Sequence, residues 1–195
     1  MKLVSEGMDL KTKALLGYFV RSLGGNLGRT KLIKLAYLTD LFARMTLGKP
    51  VTSYRYALYE NGPFDPSFYG TVSALEAEGS LKESFHKEIN GYRYEWTGTA
   101  NEADELSREE KFIAGRVSEE YGHVPLEVLL DEVVYRSEPA RKAKDAGAVG
   151  LPLDMESCNN RIKHQLGCDL GVFLDSKEAS KRGERIALDD VMRSL

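Results

Sequence analysis

The chain has 195 residues, 42% of them hydrophobic and 29% charged, which is enough apolar material to bury a core. A net charge of −3 and a pI near 5.7 exclude the basic balance of a dedicated nucleic-acid binder and leave only a local basic patch open. Two cysteines exclude a disulfide framework, no apolar run reaches the roughly 18–20 residues that cross a bilayer, and MKLVSEGMDLK lacks the apolar stretch of a secretory signal, so a soluble cytoplasmic protein is expected.

Asp9 is placed to cap a first helix that runs to about Leu23, with Leu15, Tyr18, Phe19, Ser22 and Leu23 at helical spacing and Gly24-Gly25-Asn26 closing it. A second helix spans about Arg29 to Leu47. It is apolar over much of its circumference (Leu32, Ile33, Leu35, Ala36, Tyr37, Leu38, Leu41, Phe42), which places it at the centre of the fold. Gly48-Lys49-Pro50 closes it. VTSYRYALY, residues 51–59, alternates and is β-rich, so it reads as a strand or extended segment. Alternation puts Tyr54, Tyr56 and Leu58 on one face, and Arg55, Ala57 and Tyr59 on the other. Asn61-Gly62-Pro63 is a turn. Asp65 then caps a third helix with Pro66 at its first position, Phe68, Val72 and Leu75 as its buried stripe, and Gly79 at its end.

SLKESFHKEINGYRYEWTG follows, two β-rich runs around Asn90-Gly91, the strongest short hairpin signal. Helix, helix, strand, helix, hairpin is the order of a winged helix-turn-helix. Beyond Gly98, Ala103, Leu106, Ile113 and Val117 mark a helix ending near Gly122. Pro125 opens another, with Leu126, Leu129, Leu130, Val133 and Val134 as its stripe and Pro139 beyond its end. The Ala-, Gly- and Lys-rich run from about Arg141 to Pro152 reads as a linker or mobile surface segment. The last forty residues are expected either to dock on the body or to fold against a partner. The expected organisation is a domain over residues 1–138, a linker over 139–153 and a C-terminal helical extension over 154–195. The fold class is mainly α with a small β component, a winged-helix-like helical domain carrying a β-hairpin.

KLIKLAYLTDLFARMTLGKPVTSYRYALYENGPFDPSFYGTVSALEAEGSL resembles the SocA-like domain, also called Panacea, of bacterial, phage and archaeal antitoxins. The motifs that carry the resemblance are Lys31-Leu32, Lys34-Leu35 and Tyr37 on the second helix, then Gly48 and Pro50, the aromatic run from Tyr54 to Tyr59, the Tyr59, Gly62, Pro63 turn, and the capped helix from Asp65. It covers roughly residues 10 to 135. The resemblance implies a non-enzymatic protein that binds and neutralises a cognate toxin encoded beside it, with no cofactor.

The third helix tests that expectation. Its outward side chains are predicted to be Ser67, Tyr69, Gly70, Thr71, Ser73, Ala74, Glu76 and Glu78. Base readers use Arg, Lys, Asn and Gln, and phosphate is met by Lys and Arg; this helix has none of them. It is therefore expected to meet protein, with Tyr54, Tyr56, Tyr59, Phe64 and Tyr69 as candidate binding residues, each equally readable as core. Arg29, Lys31 and Lys34 at the start of the second helix, with Lys82, Lys87 and Arg93 on the hairpin, form the possible nucleic-acid contact of the alternative reading, a winged-helix transcription regulator. Their ordinary reading is a solvated face. Cys158, His164, Cys168 and Asp169 are plausible zinc ligands in a spacing that matches no standard knuckle, so no metal is assigned. A catalytic cysteine paired with His123 or His164 lacks the rest of a triad. No phosphate loop, dinucleotide fingerprint or hydrolase elbow is present, and the acidic run Glu102, Glu105, Glu109, Glu110 reads as solvated. No enzyme is expected.

Overall fold

The computed structural model describes residues 2–25, 27–98 and 105–156. The chain begins with helix α1 (Lys2–Ser22), so Asp9 lies inside the helix rather than at its start. A two-residue strand β1 (Leu27–Gly28) leads directly into α2 (Arg29–Leu47), which ends where Gly48 takes the left-handed conformation at φ 72° and its N–H returns to the Arg44 carbonyl. Leu32, Leu35, Ala36 and Tyr37 of α2 are wholly buried, as the all-round apolar pattern predicts for a central helix.

Only the end of the 51–59 run is a strand. Residues 51–56 form no strand: the chain bends at 51–52 and continues without regular structure to Tyr56, its start held by a carboxylate. Asp40 of α2, itself buried, accepts hydrogen bonds from Val51 N–H (2.7 Å), Thr52 N–H (2.8 Å), the Thr52 hydroxyl and the Tyr56 hydroxyl (2.9 Å). Burial pushes the Asp40 carboxyl up, and those four donors pull against it. Strand β2 (Ala57–Tyr59) turns back through Glu60-Asn61 into β3 (Gly62–Phe64), pairing Tyr59 with Gly62 and Ala57 with Phe64. Gly62 sits at φ +84°, a conformation that a side chain strains against. The Asp65 carboxylate then accepts both the Ser67 N–H (2.8 Å) and the Arg55 N–H. It thereby takes up the first N–H of α3 (Ser67–Ala77), whose N-cap position is Pro66, and ties the helix start to the run before β2.

After α3, strands β4 (Leu81–His86) and β5 (Gly91–Trp96) form the expected hairpin, joined by a 3₁₀ turn over Lys87–Ile89. The last pair is His86 with Gly91, so Asn90-Gly91 is not a two-residue turn. Asn90 instead supplies the left-handed residue (φ 44°) that closes a longer loop. β1 joins the other edge of β5, giving sheet order β1-β5-β4. The expected order helix, helix, strand, helix, hairpin is found, with the short strand β1 added ahead of α2 and the single strand doubled into the β2–β3 hairpin before α3.

Helix α4 (Arg108–Tyr121) starts later than the apolar spacing suggests. Leu106 is buried ahead of it, Ala103 lies outside the described residues, and Ser107 with Glu110 forms a reciprocal capping box. Glu110, read as solvated from sequence, is 2% exposed and paired with Lys11 at 2.6 Å. A short turn α5 (Leu126–Val128) passes into a π-helical turn over Leu129–Val134, and the Tyr135 N–H reaches back five residues to Leu130. The stripe predicted from Pro125 onward faces inward, with Leu129 and Val134 fully buried.

The run read as a linker contains helix α6 (Glu138–Asp145), with Pro139 in its first turn. Beyond it the chain lies along β2: the Gly150 N–H donates to the Leu58 carbonyl and the Leu153 N–H to the Tyr56 carbonyl, both at 2.8 Å. This covers the free edge of β2 and explains why Ala57, on the face opposite Tyr54, Tyr56 and Leu58, is also buried, opposite Pro152. Small side chains here permit close backbone contact, a role that composition alone does not separate from a linker.

Candidate functional site

The β2–β3 hairpin, the start of α2 and the start of α3 enclose an open hollow of about 410 Å³. Its floor is Ile33 and Lys34. Thr30 and Asn61 stand at its sides, and Tyr59, Phe64 and Tyr69 form its aromatic wall. Tyr59 and Tyr69 are 39% and 48% exposed.

The aromatic wall continues in both directions. Inward, Phe68 links Tyr69 and Phe64 to the buried rings of Tyr54 and Tyr94, with centroids 6.2–6.3 Å apart, and Tyr54 leads on to Tyr56 and Tyr37. Outward, Tyr59 meets Phe64 at 5.8 Å and Phe64 meets Tyr69 at 5.5 Å. The Arg29 guanidinium then bridges Tyr69 (5.1 Å) and Tyr92 (3.8 Å), and Tyr92 meets Phe85 at 5.2 Å. A strip of five rings, four exposed and Phe64 half-buried, with one arginine in its middle thus runs from the β2–β3 turn across α3 to the β4–β5 hairpin. Its inner end stands on a column of packed aromatic rings, which holds the strip in place before any partner arrives.

Of the five binding candidates read from sequence, Tyr59, Phe64 and Tyr69 belong to this strip. Tyr54 and Tyr56 do not: both are buried, and the Tyr56 hydroxyl serves Asp40. Phe85 and Tyr92 were missed. The signal for them was strand alternation. Leu81, Glu83 and Phe85 share one face of the hairpin with Tyr92, Tyr94 and Trp96. Leu81 and Tyr94 are buried beneath the sheet, whereas the Phe85–Tyr92 pair overhangs the body. On α3, Ser67, Tyr69, Gly70, Ser73 and Glu76 face outward as expected, while Thr71 is buried. The structural motif residues do local work: Gly48 caps α2, Pro50 leads into the Asp40-bound run, Gly62-Pro63 forms β3, and Asp65 takes up the first N–H of α3.

The candidate cations are largely committed. Arg29 pairs with Glu83 at 2.8 Å and donates to the Tyr94 hydroxyl at 3.2 Å. Burial works to lower its pKa, but these partners overcome it and hold the guanidinium charged. Lys31 donates to the Val124 carbonyl, and burial together with nearby Arg93 lowers its pKa. Lys34 is 1% exposed and donates to the Pro63 carbonyl at 2.6 Å, and burial lowers its pKa to about 7. Lys82 and Arg93 project from the opposite face of the hairpin to the aromatic strip, and Lys87 lies in its turn.

Among the described residues no group of three or more His, Cys, Asp or Glu side chains is arranged to hold a metal. Cys158, His164, Cys168 and Asp169 lie outside them. No helix among the described residues is long and apolar enough to cross a membrane.

The model of the family described as antitoxin SocA-like, Panacea domain, matches residues 32–134, from the buried face of α2 through the π-helical turn. The chain belongs to this family. Comparison with curated proteins and with solved structures gives no match. The Panacea match contains the β2–β3 hairpin, α3 and the β4–β5 hairpin, and therefore every ring of the strip. It assigns the chain an antitoxin-like role in general terms and points to protein partners rather than to catalysis.

Proposed function

We propose that the chain neutralises a cognate toxin by binding it directly, with Tyr59, Phe64, Tyr69, Tyr92 and Phe85 as the contact surface. One observation carries the reading: five rings, four of them exposed and Phe64 half-buried, form a strip over the two hairpins and α3, joined at Arg29, beside a helix whose outward face holds no cation. Aromatic residues and arginine are the usual anchors of protein interfaces, and a few of them carry most of the affinity. Neutralisation is steric: the strip covers a working surface of the toxin.

The test is genetic. An adjacent reading frame that is lethal when expressed alone becomes harmless when the chain is co-expressed. A Tyr69→Ala/Tyr92→Ala double variant restores lethality while remaining folded. An anchor pair of this kind contributes at least about 2 kcal/mol, or roughly 30-fold in affinity. Full protection by the folded double variant would remove the strip from the function.

A winged-helix transcription regulator is the second reading, supported by the order of elements and by sheet order β1-β5-β4. Steeply salt-dependent binding to duplex DNA, weakened by Lys82→Ala and Lys87→Ala, would favour it.

A further inference from the structure

Lys34 is an unusual residue for the floor of a surface hollow. Its ammonium group has three donors, and the structure gives them one acceptor, the Pro63 carbonyl. No carboxylate among the described residues lies within ion-pairing distance of it. The charged and titratable groups around the same hollow are Arg29, Glu60, Tyr59 and Tyr69. The Arg29 charge is balanced by Glu83. Leu130 approaches from the π-helical turn and supplies no charge; it stands 3.6 Å from where a Cβ on Gly62 would lie. A Cβ there would also lie 3.5 Å from the Lys34 Nζ, so glycine at position 62 adds no side chain over the buried amine. The hollow has room for a side chain, and its floor is a donor that lacks an anion.

We propose that the hollow is a socket for an Asp or Glu side chain of the protein partner, whose carboxylate bonds to the Lys34 ammonium while its neighbours cover the aromatic strip. The inference rests on the protein-binding reading above and specifies the chemistry of its central contact. Charge complementarity selects the occupant: the Lys34 amine has no carboxylate within ion-pairing distance among the described residues, and an arriving one supplies it. The surrounding rings select polypeptide over polyanion. The strip extends well past the hollow, from Tyr59 to Phe85, and adds no free cation that would greet a phosphate chain. A lysine near neutrality in the free protein gains its proton as the carboxylate arrives, which joins binding to charging.

The experiment titrates the full chain with phenylacetate, following the Lys34 Nζ and Cε resonances by NMR. Phenylacetamide and inorganic phosphate are run as controls. Phenylacetate is expected to bind in the millimolar range and raise the Lys34 pKa by about one unit or more, a tenfold preference for the charged amine. The amide should leave Lys34 unmoved. Thr30→Glu provides a variant that keeps the fold, because positions 30 and 34 are neighbours on one helix face and an acid there sits favourably near the helix start. The introduced carboxylate becomes an occupant in cis. It should abolish phenylacetate binding and also toxin protection. Phenylacetate leaving Lys34 unshifted would overturn the proposal even if toxin protection is observed. Phosphate acting as well as phenylacetate would overturn it in favour of a nucleic-acid backbone. Phenylacetate binding without any toxic neighbour would support the socket and defeat the antitoxin reading instead.

Discussion

Replacing Lys34 by Met should change the pH dependence of stability in a predictable way. In the folded chain burial lowers the lysine to about 7, against an ordinary value of 10.5. Below pH 7 the amine is protonated in both folded and unfolded states. Between about 7 and 10.5 the unfolded chain holds the proton and the folded chain does not, so stability rises with pH across that window. Integrating the two titrations from pH 6 to pH 9 gives a gain of about 2.5 kcal/mol from this single group. Met has a similar volume and no proton to bind, so the variant lacks the gain. Its loss is the bond to the Pro63 carbonyl, about 1 kcal/mol, which does not vary with pH. Urea denaturation of both proteins at pH 6 and pH 9 measures the difference, with equal m-values as the check that the unfolded states match. The variant's advantage should be largest at pH 6 and shrink by about 2.5 kcal/mol at pH 9. Other groups titrate equally in both proteins and cancel. A difference that stays constant within about 0.5 kcal/mol would mean that Lys34 stays charged in the fold, and the argument from its burial would fail.

Asp40→Ala should lose at least about 3 kcal/mol in the same assay, because it strips acceptors from the buried Val51 and Thr52 N–H groups and the Tyr56 hydroxyl at once. Glu110→Ala removes both the Lys11 pair and the Ser107 N–H cap, and a loss of about 2 kcal/mol is expected by thermal or urea unfolding. Gly62→Ala should cost about 1–2 kcal/mol through its φ of +84° alone, since the added methyl meets only ordinary contacts. Tyr92→Ala should leave stability within about 1 kcal/mol of wild type, because the ring is partly exposed, and lower toxin affinity tenfold or more by surface plasmon resonance.

Much of the scaffold was legible because its signals are local. The apolar circumference of α2 marked it as central, Asp65-Pro66 marked the start of α3, and the Tyr59, Gly62, Pro63 turn marked a reversal that proved to be the β2–β3 hairpin. What sequence left ambiguous depends on contacts distant in the chain. Tyr54, Tyr56 and Tyr59 look alike in an alternating run; only the Asp40 carboxylate, more than ten residues earlier, decides that Tyr56 is core. Phe85 and Tyr92 lie on the face of the hairpin that also supplies buried Tyr94, and alternation alone does not tell which rings of that face stay exposed. The run after Asp145 has few large side chains, and its attachment to β2 is made by backbone groups that any residue carries. Lys34 reads on paper as one more surface cation of a basic helix start, and its burial depends on the hairpin that folds over it.

The fate of the cations also bears on the proposed preference for a protein partner over a duplex. A duplex is held by mobile, solvated charges that release counterions when they meet phosphate. Arg29 stands where such a charge would be useful, at the junction of α2, α3 and the sheet, yet it is held between two tyrosine rings and neutralised by Glu83. Freeing it for a phosphate would break an ion pair and a stacked contact together. Retained, it fills the gap between Tyr69 and Tyr92 and makes two aromatic patches into one surface. The Arg29→Met variant separates these roles. If the arginine acts as a spacer, a long, uncharged, flexible replacement should keep part of the toxin affinity while Arg29→Ala loses tenfold or more, measured by surface plasmon resonance on proteins with matched unfolding curves. Equal losses in both variants, growing steeper as salt is lowered, would mean that the charge itself is what the partner meets.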